Sequence, residues 1–431
     1  MHFTAFRYAF IVALGGFVFG LDAAIISGTV GFVGTEFNLS DLQVGTVVSA
    51  PGFGVLFALL TVGYLSERLG RKRLLQWIAF FYLVSATWSA FAPSYEQLIA
   101  ARFLGGLAFT SLSLAAMYIG EIAPAHMRGK LVAMNQINIV VGLSAAYFIN
   151  YFILQASSSG AGWVSTIGLD TNTWRWMLGS EILPAAIWFG LLFFIPKSPR
   201  WLVLKGRDEE ASMVLAKLST PEMVRGQLLS IKQSIASSGS SNSVVEQFRK
   251  LMCPTMRTIL WIGVTFAIVQ QITGINAILF YAPTIFEQLG IGTNAAFMNA
   301  VFVGLVSLVA TACALLFIDT LGRRPMTILG LSVAVISLSI CAYGFHSASY
   351  TLTEATISAL PEAIELDRIN HLVNQEFHSD VSFKDALRSA LGEEIVRDYG
   401  SDLMAAAAKL PATLILIGIL CFIAAFQFSV G

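Results

Sequence analysis

Three ionisable residues stand inside long apolar runs of the chain: Asp22, Arg102 and Glu181. One charge at the centre of a bilayer costs roughly 2.5–3.5 kcal/mol on insertion scales, so such groups face a protein interior and pair with one another. A nearby arginine holds a carboxylate pKa down, and the carboxylate is released to titrate when that pair breaks. On this reading Asp22 carries a proton, Arg102 tunes it and Glu181 joins them. The competing reading is a static salt bridge that locks helices together, with Glu181 bonded to Arg102 or to backbone. A second constellation is neutral. Gln270, Gln271, Thr273 and Asn276 flank Gly274 in another apolar run. Primary amides both donate and accept hydrogen bonds, as sugar hydroxyls do, whereas a charged ligand calls for opposite charge. Glycine at this point can interrupt a helix and turn backbone groups toward a cavity. Interhelical glue, the alternative role, averages about 0.6 kcal/mol per bond, and the polar density here exceeds that need.

These residues need membrane helices to position them. Of 431 residues, 56% are hydrophobic and 12% charged, against about 25% charged in soluble domains. Net charge is zero, so nothing points to nucleic acid. Cys253, Cys313, Cys341 and Cys421 are scattered without a C-x-x-C pair, so no metal or disulfide framework is implied. A spanning helix needs about 20 mostly apolar residues. Ten candidates satisfy this: 7–30, 43–65, 74–92, 96–120, 131–153, 174–195, 257–287, 295–318, 326–345 and 410–431. The first is too long for a cleaved signal h-region of about 7–15 residues. A polar stretch at 197–256, with an amphipathic segment at Glu209–Leu218, follows the sixth span, and another at 346–409 separates the last two. Basic residues mark the cytoplasmic side. Arg68, Arg71, Lys72 and Arg73 follow the second span, Arg128 and Lys130 the fourth, and Arg323 and Arg324 the eighth, while 31–42 and 154–173 contain no Lys or Arg. This predicts a cytoplasmic N-terminus and an outer location for 346–409, where 11 Asp and Glu face five Lys and Arg.

The chain also repeats itself. GYLSERLGRKRLL (63–75) and FIDTLGRRPMTILG (317–330) share a Leu-Gly-Arg-basic core offset by 252 residues. A repeat after the second helix of each half implies two parallel six-helix halves. With FGLDAAIISGTVGFV, ERLGRKR, ARFLGG, YIGEIAPAHMRGKL, PKSPRWL, QQITGINAILFYAP and DTLGRRP in order, the sequence resembles the sugar porter family of the major facilitator superfamily, nearest its bacterial proton-coupled xylose and hexose porters. The resemblance implies an all-α polytopic membrane protein. Its expected parts are an N-terminal half at 1–195, a cytoplasmic helical linker at 196–256, and a second half at 257–431 carrying an outer insertion at about 346–409. It further implies that proton-coupled members carry an Asp at the Asp22 position where facilitators carry Asn. Family members continue through a Gly-Pro-Trp stretch and two more helices. By that comparison the sequence ends within helix ten, lacks a sugar-stacking tryptophan, and is expected to be a fragment that does not by itself give normal sugar flux.

The resemblance carries site roles to Gln136, Gln270, Gln271 and Asn276, with Phe19, Phe280 and Tyr281 as aromatic lining. Counting back from Asp319 puts Ser307 where relatives usually offer an Asn, a shorter side chain with consequences for which sugar fits. Plain packing is the alternative for the aromatic residues. Glu67, Arg71, Glu121, Arg128, Asp319 and Arg323 are expected to form an ion-pair gate on the cytoplasmic side, besides setting topology. The resulting expectation is a monomer in the cell membrane that moves a pentose or hexose with a proton by alternating access, without a cofactor. A proton-independent sugar or polyol facilitator, an organic-anion carrier and a non-transporting sugar sensor are the alternatives. Neither a nucleophile–base set nor a metal-ligand cluster stands out, so an enzyme is not expected.

Overall fold

A computed structural model describes residues 2–124, 127–219, 221–237, 252–353 and 369–431. Among them, eight helices are long and apolar enough to cross a membrane: Thr4–Gly28, Asp41–Leu69, Tyr95–Ile122, Arg128–Ser157, Met256–Phe280, Thr293–Leu321, Arg323–His346 and Ala412–Ser429. The expected third span is also helical, as Arg71–Ala90, but opens on three bases. The expected sixth span is divided into Thr173–Gly179 and Ile182–Leu191. Glu181 sits at the divide, as the residue that precedes the second piece. The amphipathic segment expected at Glu209–Leu218 is the helix Asp208–Leu218.

The residues group into two compact units. One comprises Met1–Gly20, Ser49–Gly142 and Gly179–Asn276; the other comprises Leu21–Val48, Leu143–Leu178 and Ala277–Gly431. In the first unit, small residues let helices meet at backbone distance, as lipid-embedded packing favours. A Cβ on Gly54 would lie 2.2 Å from the Phe103 carbonyl oxygen, and one on Gly106 would lie 2.1 Å from that of Pro51. Trp188 is wholly buried and donates its indole N–H to the Ile11 carbonyl at 3.1 Å. It lies flat against Gly15, where a Cβ would come within 2.5 Å of the ring.

The joint between Asp41–Leu69 and Arg71–Ala90 is Gly70, at φ +87°. L-residues with a Cβ avoid this conformation. The Trp201 indole covers the joint and donates to the Glu67 carbonyl at 3.0 Å. Ser198 places this tryptophan: its hydroxyl accepts from the Trp201 N–H at 3.2 Å and starts the helix Pro199–Leu204, with proline in the first turn, as helix N-termini favour.

In the second unit, Gly322 at φ +81° joins Thr293–Leu321 to Arg323–His346. The repeat seen in sequence is therefore a repeat of one backbone joint. The helices Arg323–His346 and Ala412–Ser429 meet at Gly330, Gly344 and Gly418, whose added Cβ atoms would reach 2.2, 2.4 and 2.6 Å from Ser429, Ile415 and Cys341. Between these helices in sequence, the described residues of the expected insertion gather on a core of their own. Strands β1 (Ser349–Thr351), β2 (Glu376–Phe377) and β3 (Ala408–Lys409) form an antiparallel sheet in the order β2-β1-β3. Helices Asp380–Leu391 and Glu393–Ala407 add Phe383, Leu387, Leu403 and Met404 to a cluster with Tyr350 and Leu352. The sheet is a small exception to an otherwise helical chain.

Candidate substrate and proton site

The amide cluster sits at a helix break. Pro254–Ile272 ends at Thr273, Gly274 takes φ +80°, and a new helix runs Ile275–Phe280. Thr273 donates its hydroxyl back to the Gln270 carbonyl at 2.7 Å, which satisfies one carbonyl of the ending helix. Across the break the Asn276 amide N–H donates to Gln271 Oε1 at 2.8 Å. Both side chains are exposed, and Gln270 is half-buried. The mutual bond fixes which way each amide points. It leaves the Gln271 Nε2 donors and the Asn276 Oδ1 acceptor available to a hydroxylated ligand. Gln136 and Phe19 belong to the same unit and are half-buried; Phe19 packs edge-on against Phe109 with ring centroids 4.7 Å apart.

Phe280, Tyr281 and Ser307 belong to the second unit. Phe280 and Tyr281 are half-buried, and Tyr281 marks a second interruption before the helix Ala282–Glu287. Ser307 is fully buried, and its hydroxyl donates to the Val303 carbonyl of its own helix at 2.8 Å. That hydroxyl is thereby engaged with backbone one turn away.

Asp22, Arg102 and Glu181 are 2%, 3% and 3% exposed, and none is without a partner. Such burial is tolerated only with compensation. Sequence reading overlooked Asn135, which is buried with its backbone and side-chain oxygens against Gly16. The signal was available, because Asn135 is a further polar residue beside Gln136 in the same apolar run.

Of the expected gate residues, the structure brings Arg71 and Glu121 together at 3.0 Å, with side chains 8% and 10% exposed. Arg71 also donates to the Ser66 carbonyl at 2.9 Å, and the Ser198 hydroxyl donates to Glu121. The PKSPRWL segment thus latches onto this pair. Glu67 contributes its backbone carbonyl to Trp201. The side chains of Glu67, Arg128, Asp319 and Arg323 are exposed, and no ion pair is formed by them among the described residues.

The family model described as "Sugar (and other) transporter" matches residues 8–359. The arabinose-proton symporter of Bacillus subtilis is 34% identical over 337 residues, which covers 77% of this chain and 69% of the relative. The D-xylose-proton symporter of Escherichia coli is 34% identical over 385 residues, covering 82% and 74%. Among solved structures, the xylose transporter XylE from E. coli in a partially occluded inward-open conformation aligns with a TM-score of 0.67 at 27% identity, covering 98% of this chain and 95% of that one. With the family model spanning most of the chain and the same fold in a solved transporter, the chain belongs to the sugar porters of the major facilitator superfamily.

Proposed function

We propose that the chain carries a monosaccharide across the membrane in symport with a proton, by alternating access. The observation that carries the sugar reading is the pair of oriented amides at the Gly274 break, Gln271 bonded to Asn276 at 2.8 Å. Neutral groups that donate and accept suit hydroxyls. A broken membrane helix is where transporters of this architecture hold their solutes. The relatives named as arabinose-proton and D-xylose-proton symporters make aldopentoses the first solutes to test. Gln136, Gln270, Ser307 and the rings of Phe19, Phe280 and Tyr281 are the further proposed lining residues, on the family resemblance of the motifs that carry them. Asp22 is the proposed proton carrier, tuned by Arg102 and Glu181; the burial of all three supports this reading. The protein is proposed to act as a monomer in the cell membrane with its N-terminus in the cytoplasm, on the distribution of Lys and Arg in its loops.

The test is uptake of labelled xylose and arabinose into proteoliposomes under an imposed pH gradient. Transport-competent protein is expected to accumulate sugar above the external concentration, and collapse of the gradient with an uncoupler should abolish accumulation; saturable flux through this 431-residue chain would set aside the expectation that it does not by itself give normal sugar flux. Asp22→Asn is expected to lose accumulation while retaining sugar exchange. Accumulation that survives Asp22→Asn would remove Asp22 from the proton path. Sugar flux indifferent to the gradient in the native protein would make it a facilitator instead.

A further inference from the structure

Where the Arg71–Ala90 helix begins, the first unit contains a cavity of about 280 Å3 whose lining includes Arg71, Lys72, Arg73, Gln76, Lys197 and Ser198, and no carboxylate. Most nearby acids are already committed. Glu121 holds Arg71 at 3.0 Å. Glu210 lies 3.8 Å from Lys197 and also pairs with Arg207, so one acid serves two bases. Glu67 is exposed. Lys72 donates to the Phe193 carbonyl at 2.9 Å, an uncharged partner, and Arg73 is exposed. The cavity therefore carries an excess of positive charge. Burial, then the neighbouring Lys197, push the Lys72 ammonium below its ordinary range. Two lysines held against their mutual repulsion fit a site that an anion completes.

The backbone adds to this charge. The first bond into the helix runs from the Leu74 N–H to the Gly70 carbonyl at 3.1 Å. The amides of Arg71, Lys72 and Arg73 precede it, at the positive end of a 20-residue helix, where oxyanions bind well. Large apolar rings stand out beside the cavity: Phe193 is 55%, Phe194 71% and Trp77 53% exposed. Aromatic side chains next to basic ones mark the level where headgroups meet acyl chains.

We propose that this cavity binds a phosphate oxyanion, carried by the headgroup of an anionic phospholipid or by free inorganic phosphate, through Lys72, Lys197 and the helix-opening amides. Lysine binds phosphate as a mobile point charge. The ligand would stand beside the Arg71–Glu121 pair and the Trp201 latch. The exposed rings favour the lipid as the source. The site stands on its own geometry and does not depend on the identity of the sugar.

The test is native mass spectrometry of the purified chain with phosphatidylglycerol or phosphatidylcholine, and a parallel titration with inorganic phosphate. Phosphatidylglycerol should be retained over phosphatidylcholine. Lys72→Gln with Lys197→Gln should weaken it by about fivefold per lysine, the contribution of one basic residue at an anionic surface. Lys72→Arg with Lys197→Arg should keep the preference. Reductive methylation of the native chain, read by peptide mass spectrometry, needs no variant: Lys72 and Lys197 should be protected by phosphatidylglycerol. Protection by phosphate but not by phosphatidylglycerol would keep the site and assign it to the free ion. Protection by neither ligand, or equal binding of both ligands by native and glutamine-substituted chains, would overturn the proposal.

Discussion

At the residue scale the proposed sugar-site residues differ in what they leave free. Gln271 and Asn276 bond each other and still present a donor and an acceptor, while Ser307 has donated its hydroxyl to backbone. Gln271→Ala removes a proposed sugar partner and also frees Asn276 to rotate. A hydrogen bond contributes about 0.5–1.5 kcal/mol net, so sugar affinity should fall about tenfold, read by isothermal titration. Unchanged affinity would take Gln271 out of the site. Ser307→Ala should change affinity by less than about twofold in the same titration. A large loss there would mean that the hydroxyl leaves Val303 when sugar binds. The buried Arg71–Glu121 pair behaves differently again. Glu121→Gln leaves a cation buried without its counter-charge, a change that costs about 3 kcal/mol or more in buried pairs. The unfolding midpoint in detergent should drop accordingly, and an unaltered midpoint would show that solvent already screens the pair.

At the element scale, the Leu-Gly-Arg joints are alike in backbone and unlike in surroundings. Gly70 and Gly322 have φ of +87° and +81° with ψ of 152° and 156°, an extended positive-φ conformation essentially reserved for glycine, so alanine at either costs about 1–3 kcal/mol. Only Gly70 is also covered: an added Cβ would stand 2.8 Å from the Trp201 ring, whereas the nearest atom at Gly322 is Pro325 Cδ at 4.0 Å. Gly70→Ala should therefore lower the melting temperature more than Gly322→Ala, and equal effects would show that Trp201 yields without cost. The insertion is a second separable element. It enters through β1 and leaves through β3, which pair at Ser349–Lys409 and Tyr350–Ala408, and among the described residues its core draws on residues of the insertion itself. Replacing 352–407 with a short Asn-Gly turn should leave the helical circular dichroism of the remaining chain and its monodispersity in detergent intact. Aggregation of the shortened chain would show that the insertion braces the bundle.

At the scale of the molecule, the second unit ties the helix Arg128–Ser157 to later helices. Ser144 donates to the Gly304 carbonyl at 2.7 Å, Tyr147 to that of Leu279 at 2.7 Å, and Gln155 to Asn294 at 3.3 Å. Gly304 admits this contact because it has no Cβ; one would stand 2.9 Å from Ser144 Cα. On the proposed orientation, with the N-terminus in the cytoplasm, a solute arriving from outside must part these helices. Ser144→Ala with Tyr147→Phe removes two bonds of about 1 kcal/mol each. The equilibrium should move about tenfold or more toward the form open on that side. Labelling of a cysteine placed at Gly45, by a membrane-impermeant maleimide added outside, should accelerate to match. An unchanged labelling rate would mean that these bonds do not hold the closed form.

The sequence by itself determined the membrane class, the order of the spans, the repeated Leu-Gly-Arg joint and the break at Gly274. Each rests on local or periodic physics: about 20 apolar residues span a bilayer, and only glycine takes a positive φ at little cost. The amide cluster was legible for the same reason, because polar groups in an apolar run stand out wherever the helix turns them. Tertiary structure alone decided which of those groups are spent. Nothing in the sequence distinguishes Ser307, bonded to Val303, from a hydroxyl that faces a ligand. Nor does it single out Arg71 with Glu121 from the six residues expected to form ion pairs, or set Lys72 beside Lys197. The insertion was read only as a polar stretch, since its strands are two or three residues long. Its amphipathic helices become recognisable once Phe383, Leu387 and Leu391 are seen to share one buried face. Periodicity is written along the chain, whereas hydrogen-bond partners and cavities arise where distant segments meet.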